Sequence, residues 1–293
     1  MSATTPAPTD EQAYFVHTGP DTIDGQTWRH YQPTKHTESP WGPGFQHGSP
    51  PAALIATVLE DGARDHGVDL QAGRFSRMTV EILGAVPLSP LRTTARVLRP
   101  GKRITYFEAV VEDESGREFV RGTGWWIKTS DSAGIERTVA EDVAGPAEAP
   151  EAEDFTERWS SGYIDSIEIT RQPRQNVQVS EDNADDNAAQ PNIYWSKSDL
   201  PVVAGRQDTP WMRLMKTVDI ANGLNSVLDI NEWSYMNVDT TVYLHHELRG
   251  EWVGLIAEAN CGHDGIGTTV ARIFDEHGAI GTCNQGFILA RQK

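Results

Sequence analysis

Along 74–129 and again along 236–290, apolar residues return at every second position in short runs, the spacing of strands buried on one face. The alternation predicts strands over 74–86, 91–99, 103–113 and 117–129, then over 236–247, 251–260, 266–275 and 279–290. The turns "RPGKR", "DESGR" and "DEHGA" are short, so the strands they join pair antiparallel. Shorter extended pieces are predicted near 13–17, 26–31 and 155–171. Ahead of each four-strand set the period changes to that of a helix of roughly 18 residues. These helices are 48–65, "GSPPAALIATVLEDGARD", and 210–227, "PWMRLMKTVDIANGLNSV". Ser49 before Pro50-Pro51, and Asp208-Thr209 before Pro210, read as starts: a capping side chain, then proline in the first turn.

The second helix carries a contradiction. Trp211, Leu214, Val218, Ala221 and Leu224 form an apolar stripe, yet Asp219 falls inside it, followed by Asn222-Gly223 and Asn225. Glycine inside a helix costs about 1 kcal/mol against alanine, and Asp and Asn are poor there too. Two readings stand: a helix that breaks at 219–223, or one that tolerates these residues because a site needs them.

The two sets match each other. One offset of 162 lays "DESGREFVRGTGWWI" on "DEHGAIGTCNQGFIL", "RMTVEIL" on "DTTVYLH", and 48–65 on 210–227. A register held across about 80 residues points to an internal repeat. Residues 130–154, rich in Ala, Pro and acid, read as a linker, and 172–208, with "SEDNADDNAAQP", as an inserted polar loop. The organisation expected is 13–129, linker 130–154, and 155–293. Each unit is α+β, one long helix burying its stripe against an antiparallel sheet that wraps it.

Composition adds limits. The chain has 293 residues, 38% hydrophobic and 23% charged, enough for a real core. No apolar run reaches membrane-spanning length, and "MSATTPAPTDEQ" lacks a signal-peptide pattern. Two cysteines, Cys261 and Cys283, make no disulfide framework and fit a cytoplasmic protein. A net charge of −17 argues against nucleic acid as a partner. Residues 64–128 nevertheless hold eleven Lys/Arg against eight Asp/Glu. The group in "PLRTTARVLRPGKR" is either a solvated face or a patch for a small polyanion.

Taken together, "GFQHGSPPAALIATVLE", "RMTVEILGAVPLSPLRTTARVLRPGKRITYFEAVV", "VDIANGL", "MNVDTTVYLH", "GEWVGLIAE" and "GAIGTCNQG" resemble the TesB-like (thioesterase II type) acyl-CoA thioesterases. Those are double hotdog proteins. The resemblance covers most of the chain outside the N-terminal dozen residues, the linker and the insertion. It implies hydrolysis of an acyl-CoA thioester to acid and CoA, with no cofactor and no metal, in an expected homo-oligomer. It places the family's water-holding Asp on Asp219 and its Gln on Gln285. The family's Thr falls on Asn237, a departure from the pattern, with Thr241 as the fallback on the same alternating face.

Chemically, a thioester needs an activated water and donors for the developing oxyanion. Asp219 is placed to act as base. Backbone N–H groups of Gly48 and Ser49, at the first helix start, are candidate oxyanion donors, since Pro50 and Pro51 have none. His47 either lines the thioester or packs. The site then lies between the halves, and the same register sets Thr57 and Thr123 opposite Asp219 and Gln285, leaving the mirror position empty of both groups. Two other readings remain: an acyl-CoA-binding protein without catalysis, and a hotdog enoyl-CoA hydratase using "CGHDG" (261–265). "LHHE" (244–247) does not converge on a metal, because strand neighbours point to opposite faces.

Overall fold

The computed structural model describes residues 12–23, 25–138, 143, 145–146, 151–152, 160–172, 191–226, 228–229 and 231–292. Most of the expected linker and 173–190 of the expected insertion lie outside these residues. The first half runs β1 (Phe15–Ile23), β2 (Gln26–Pro33), α1 (Ser49–Asp65), β3 (Gly73–Ile82), β4 (Leu91–Arg99), β5 (Ile104–Glu112) and β6 (Glu118–Lys128). The second runs β7 (Glu151–Ala152), β8 (Glu168–Gln172), β9 (Ile193–Lys197), α2 (Pro210–Met215), β10 (Trp233–Leu244), β11 (Val253–Cys261), β12 (Ile266–Asp275) and β13 (Gly278–Arg291).

The thirteen strands among the described residues form one sheet in the order β1-β2-β4-β5-β6-β3-β10-β13-β12-β11-β9-β8-β7. The order reads the same from both ends toward the middle, apart from the extra β7. At the centre β3 pairs antiparallel with β10, and Thr79 faces Thr241. Their hydroxyls are 3.2 Å apart and their numbers differ by 162, the repeat offset. A pseudo-twofold axis therefore passes through this pair. On the last strand the offset falls to 161: Val80 faces Gly122 and Met78 faces Gly124, whereas Thr240 faces Gln285 and Val242 faces Cys283. Gln285 thus corresponds to Gly124, and not to Thr123 as an unbroken register requires.

The long α1 is buried on nearly every side. Sheet and helix touch so closely that a Cβ on Gly122 would lie 2.1 Å from Ile55 Cγ2. The second half departs from expectation. Its helix ends at Met215, and a 3₁₀ turn follows over Val218–Gly223. Asp219, Asn222 and Gly223 are poor α-formers, and Asn225 at φ 53° ends the segment in the left-handed region. The expectation of one long helix in each unit is therefore met only in the first. Thr209 caps α2 by accepting from Met212 N–H at 3.3 Å. The residue before α1, however, is Gly48, with Ser49 its first helical residue. The expected loop at 172–208 also contains structure: β9, and Val202, whose carbonyl accepts from Phe15 N–H at 2.9 Å. Among the described residues no helix is long and apolar enough to cross a membrane.

Two arginines of the basic stretch pair within the sheet. Arg92 Nε donates to Glu112 at 2.7 Å and Arg96 Nε to Glu108 at 2.6 Å, both across β4–β5, and Arg92 also covers Trp28 at 4.5 Å. These contacts favour the reading as a solvated, charge-paired face over a polyanion patch.

Candidate functional site

Asp219 sits in the 3₁₀ turn where the second helix breaks, 5% exposed. The turn aims its carboxylate and its carbonyl at β10 and β13. Oδ1 accepts from Asn237 Nδ2 at 3.0 Å and from the Thr240 hydroxyl at 3.1 Å. The carbonyl oxygen accepts from Asn237 Nδ2 at 3.0 Å and from Gln285 Nε2 at 3.1 Å. Gln285 Nε2 also donates to Thr240 Oγ1 at 3.1 Å, which closes the network. Because every partner here is an acceptor, both amides must present their NH₂ groups. That leaves Asn237 Oδ1 and Gln285 Oε1 buried without a hydrogen-bond partner.

Thr240 was missed in the sequence, and Thr241 is not its substitute. Strict alternation puts Asn237 and Thr241 on one face. In the structure Val238 is an extra residue in the β10–β13 ladder, between Asn237 and Asp239. The bulge reverses the alternation, so Asn237 and Thr240 share the inner face while Thr241 turns outward to Thr79. Its counterpart lies at Ser76, 162 residues earlier, between Phe75 and Arg77. A single sequence carries no clear mark of such an insertion.

The start of α1 closes the other side. A Cβ on Gly48 would lie 2.3 Å from Asp219 Oδ2 and 2.9 Å from its Cγ. Gly48 has φ −66° and ψ −29°, which any residue adopts, so glycine is required here for space and not for backbone shape. Of the two expected amide donors, Ser49 N–H is already bound to His47 Nδ1 at 3.1 Å. Gly48 N–H pairs with no acceptor among the described residues and is the donor left at the helix start. His47 packs and lines at once. Its ring stacks on Tyr163 at 4.0 Å, and Nδ1 lies 3.7 Å from Asp219 Oδ2. Burial pushes its pKa down to about 4, only partly offset by the Asp219 carboxylate. The ring is therefore neutral at pH 7, and an Nδ1 that accepts from Ser49 leaves its proton on Nε2.

Beside this cluster an apolar cavity of about 60 Å³ is walled by Trp41, His47, Ile164, Ile169, Ile220 and Leu224. Across the pseudo-twofold the equivalents of Asp219, Asn237, Thr240 and Gln285 are Thr57, Phe75, Met78 and Gly124. Phe75 fills the space over Gly124, where a Cβ would meet its ring at 2.8 Å. That seam is packed core. Burial also raises the Cys283 thiol far above its usual range, with Asp219 and Asp239 adding to the shift, so it is no thiolate nucleophile at neutral pH. Residues 261–264 of "CGHDG" are exposed at the end of β11 and in the turn to β12. Among the described residues no three His, Cys, Asp or Glu side chains gather as a metal site.

A helix wrapped by an antiparallel sheet, repeated about a pseudo-twofold axis, is the double hotdog arrangement. Solved structures share the fold at low identity. The acyl-CoA thioesterase II TesB2 from Mycobacterium marinum is 13% identical, with a TM-score of 0.63 over 94% of this chain and 96% of its own. A Thermobifida fusca protein assigned to thioesterase II is 15% identical, with a TM-score of 0.67 over 98% and 100%. A hot dog fold protein from Alicyclobacillus acidocaldarius is 14% identical, with a TM-score of 0.62 over 94% and 97%. No curated protein matches the chain. Residues 37–127 match the acyl-CoA thioesterase N-terminal domain and 146–289 the acyl-CoA thioesterase C-terminal domain. The chain therefore belongs to the acyl-CoA thioesterase family and is a thioester hydrolase.

Proposed function

We propose that Asp219, Thr240 and Gln285, with Asn237 beside them, hold the water that hydrolyses an acyl-CoA thioester at the seam of the two halves. The reading rests on one observation above all: a buried carboxylate pressed against a helix start whose glycine leaves no room for a side chain. Thr240 and Asn237 both occupy Oδ1, which orients the carboxylate and turns Oδ2 toward Gly48. The unpartnered amide oxygens of Asn237 and Gln285 supply buried acceptors for the same water.

The chemistry balances with these groups alone. Asp219 takes one proton as the water oxygen bonds to the thioester carbonyl carbon. The Gly48 N–H faces the resulting oxyanion with the positive end of α1 behind it. Collapse breaks the carbon–sulfur bond, the proton held by Asp219 passes to the leaving CoA sulfur, and the carboxylic acid departs. His47, neutral, keeps Ser49 N–H engaged and walls the pocket without adding charge.

Release of free CoA thiol from acyl-CoA substrates by wild type and Asp219→Asn tests the assignment. Thiol release by the wild type, abolished in the variant, supports it; equal release by both removes Asp219 from the site. Binding without release would favour a protein that holds acyl-CoA but does not cleave it.

A further inference from the structure

The apolar cavity beside Asp219 says which acyl groups fit. Resting on the site proposed above, we infer that it is the acyl pocket and that it takes short aliphatic acyl groups, up to about four carbons, with Trp41 as the residue that sets the limit. Two walls come from the loop and strand next to Tyr163, Ile164 and Ile169. Two more come from the catalytic turn itself, Ile220 and Leu224. His47 and Ile220 stand beside the carboxylate, so a carbonyl held at Gly48 would direct its tail into this space. A pantetheine arm carries amides that need polar partners on burial. Asn222 is the single polar side chain in the lining besides His47, and its Nδ2 already donates to the Tyr235 carbonyl at 3.1 Å. The lining therefore suits hydrocarbon.

Size gives the limit. A dry cavity that admits benzene measures about 150 Å³. A cavity of about 60 Å³ holds two or three carbon atoms beyond the carbonyl. Trp41 lines it and meets Tyr235 edge-on, with ring centroids 5.2 Å apart. The tip that carries it is tied at both ends. Ser39 N–H donates to the Phe45 carbonyl at 2.8 Å, Leu88 N–H to the Gly44 carbonyl at 3.3 Å, and Gly44 turns the chain at φ 85°. With its backbone held in this way, Trp41 is the wall that a longer chain would meet.

Two readouts test the inference separately from the chemistry. The first is kcat/KM for acetyl-, butyryl-, hexanoyl-, octanoyl- and palmitoyl-CoA. The second is the affinity of the non-hydrolysable thioethers S-ethyl-, S-butyl- and S-octyl-CoA, measured by calorimetry. The wild type is expected to favour butyryl or shorter by at least about tenfold over octanoyl, and S-butyl- over S-octyl-CoA likewise. Each methylene that finds room contributes about fourfold. Trp41→Ala should therefore raise the octyl-to-butyl ratio by about tenfold or more, and Ile169→Ala, on a different wall, should move it in the same direction. A wild type that prefers octanoyl or longer overturns the inference, as does a thioether ratio unmoved in both folded variants. If the thioethers rank as expected but no substrate is cleaved, the pocket stands and the hydrolytic assignment fails.

Discussion

Replacing Gly48 with alanine is a small change whose consequence can be worked from the coordinates. The backbone accepts it at no cost, since φ −66° and ψ −29° are ordinary helical values. The new methyl, however, would stand 2.3 Å from Asp219 Oδ2. Ordinary carbon–oxygen contact is roughly 3.3 Å, so the carboxylate must retreat by about 1 Å. It cannot do so freely, because Oδ1 is held by Asn237 and Thr240 and the adjoining carbonyl by Asn237 and Gln285. A displacement of that size at a reacting group costs about 10²-fold in rate. Strained or broken hydrogen bonds to the buried carboxylate should lower stability by about 1–3 kcal/mol. Alanine keeps the backbone N–H, so any loss reports the moved carboxylate and not a missing oxyanion donor. The assay is thiol release at saturating and limiting substrate, with urea unfolding run in parallel on the same preparation. Wild-type kcat/KM in a folded Gly48→Ala protein would refute the claim that glycine is there to admit Asp219.

Asp219→Asn should cut turnover by 10² or more while substrate affinity changes little, read as a fall in kcat with KM nearly constant. Thr240→Val keeps the shape but leaves Oδ1 and Gln285 Nε2 each short of a partner, so stability should fall by about 1–3 kcal/mol and kcat should fall with it. Thr241→Val, on the outer face, should leave kcat near wild type; reversed effects at the two positions would contradict the bulge. Two buried groups also set opposing pH dependences. His47 is lowered from 6.5 to about 4, so its contribution to stability is lost as pH falls through that window. Glu60 is raised from 4.5 to about 7, chiefly by burial, so its protonated form favours the fold and stability is lost as pH rises through 4.5 to 7. Each amounts to about 3 kcal/mol and they offset one another between pH 4.5 and 6.5. Glu60→Gln keeps an oxygen for the Thr209 hydroxyl, which donates to Glu60 Oε1 at 2.9 Å. It should therefore stabilise the protein at pH 8 by up to about 3 kcal/mol and make stability fall on acidification. Urea midpoints at pH 8 lower than wild type would contradict the raised Glu60.

The eight long strands were legible because each buries one face, and burial of one face writes a two-residue period into the sequence. The duplication was legible for the same reason, and its offset reappears physically in the facing Thr79–Thr241 pair. The second helix was not legible to its end. Its apolar stripe continues through Leu224, but periodicity does not register that Asp219, Asn222 and Gly223 prefer a tighter turn. Asn237 and Gln285 both reach Asp219 in the structure. Thr240 stayed hidden because one extra residue at Val238 reverses the face of everything after it. The division of the helix start also lay beyond the sequence: Ser49 N–H is spent on His47, which leaves Gly48 as the donor.

The unlike packing of the two seams has a consequence for how the chain divides its burdens. Where Asn237 and Thr240 sit, the fold tolerates a knot of desolvated polar atoms, two of them unsatisfied. Where Phe75 and Met78 sit, the same architecture keeps ordinary hydrocarbon. A single-unit protein pairing with a second copy could not separate these tasks, since every substitution would appear on both sides of its dyad. Tandem duplication breaks that tie. If the first joint is the reacting one, substitutions there should register in rate as well as in stability, and those in its twin in melting alone.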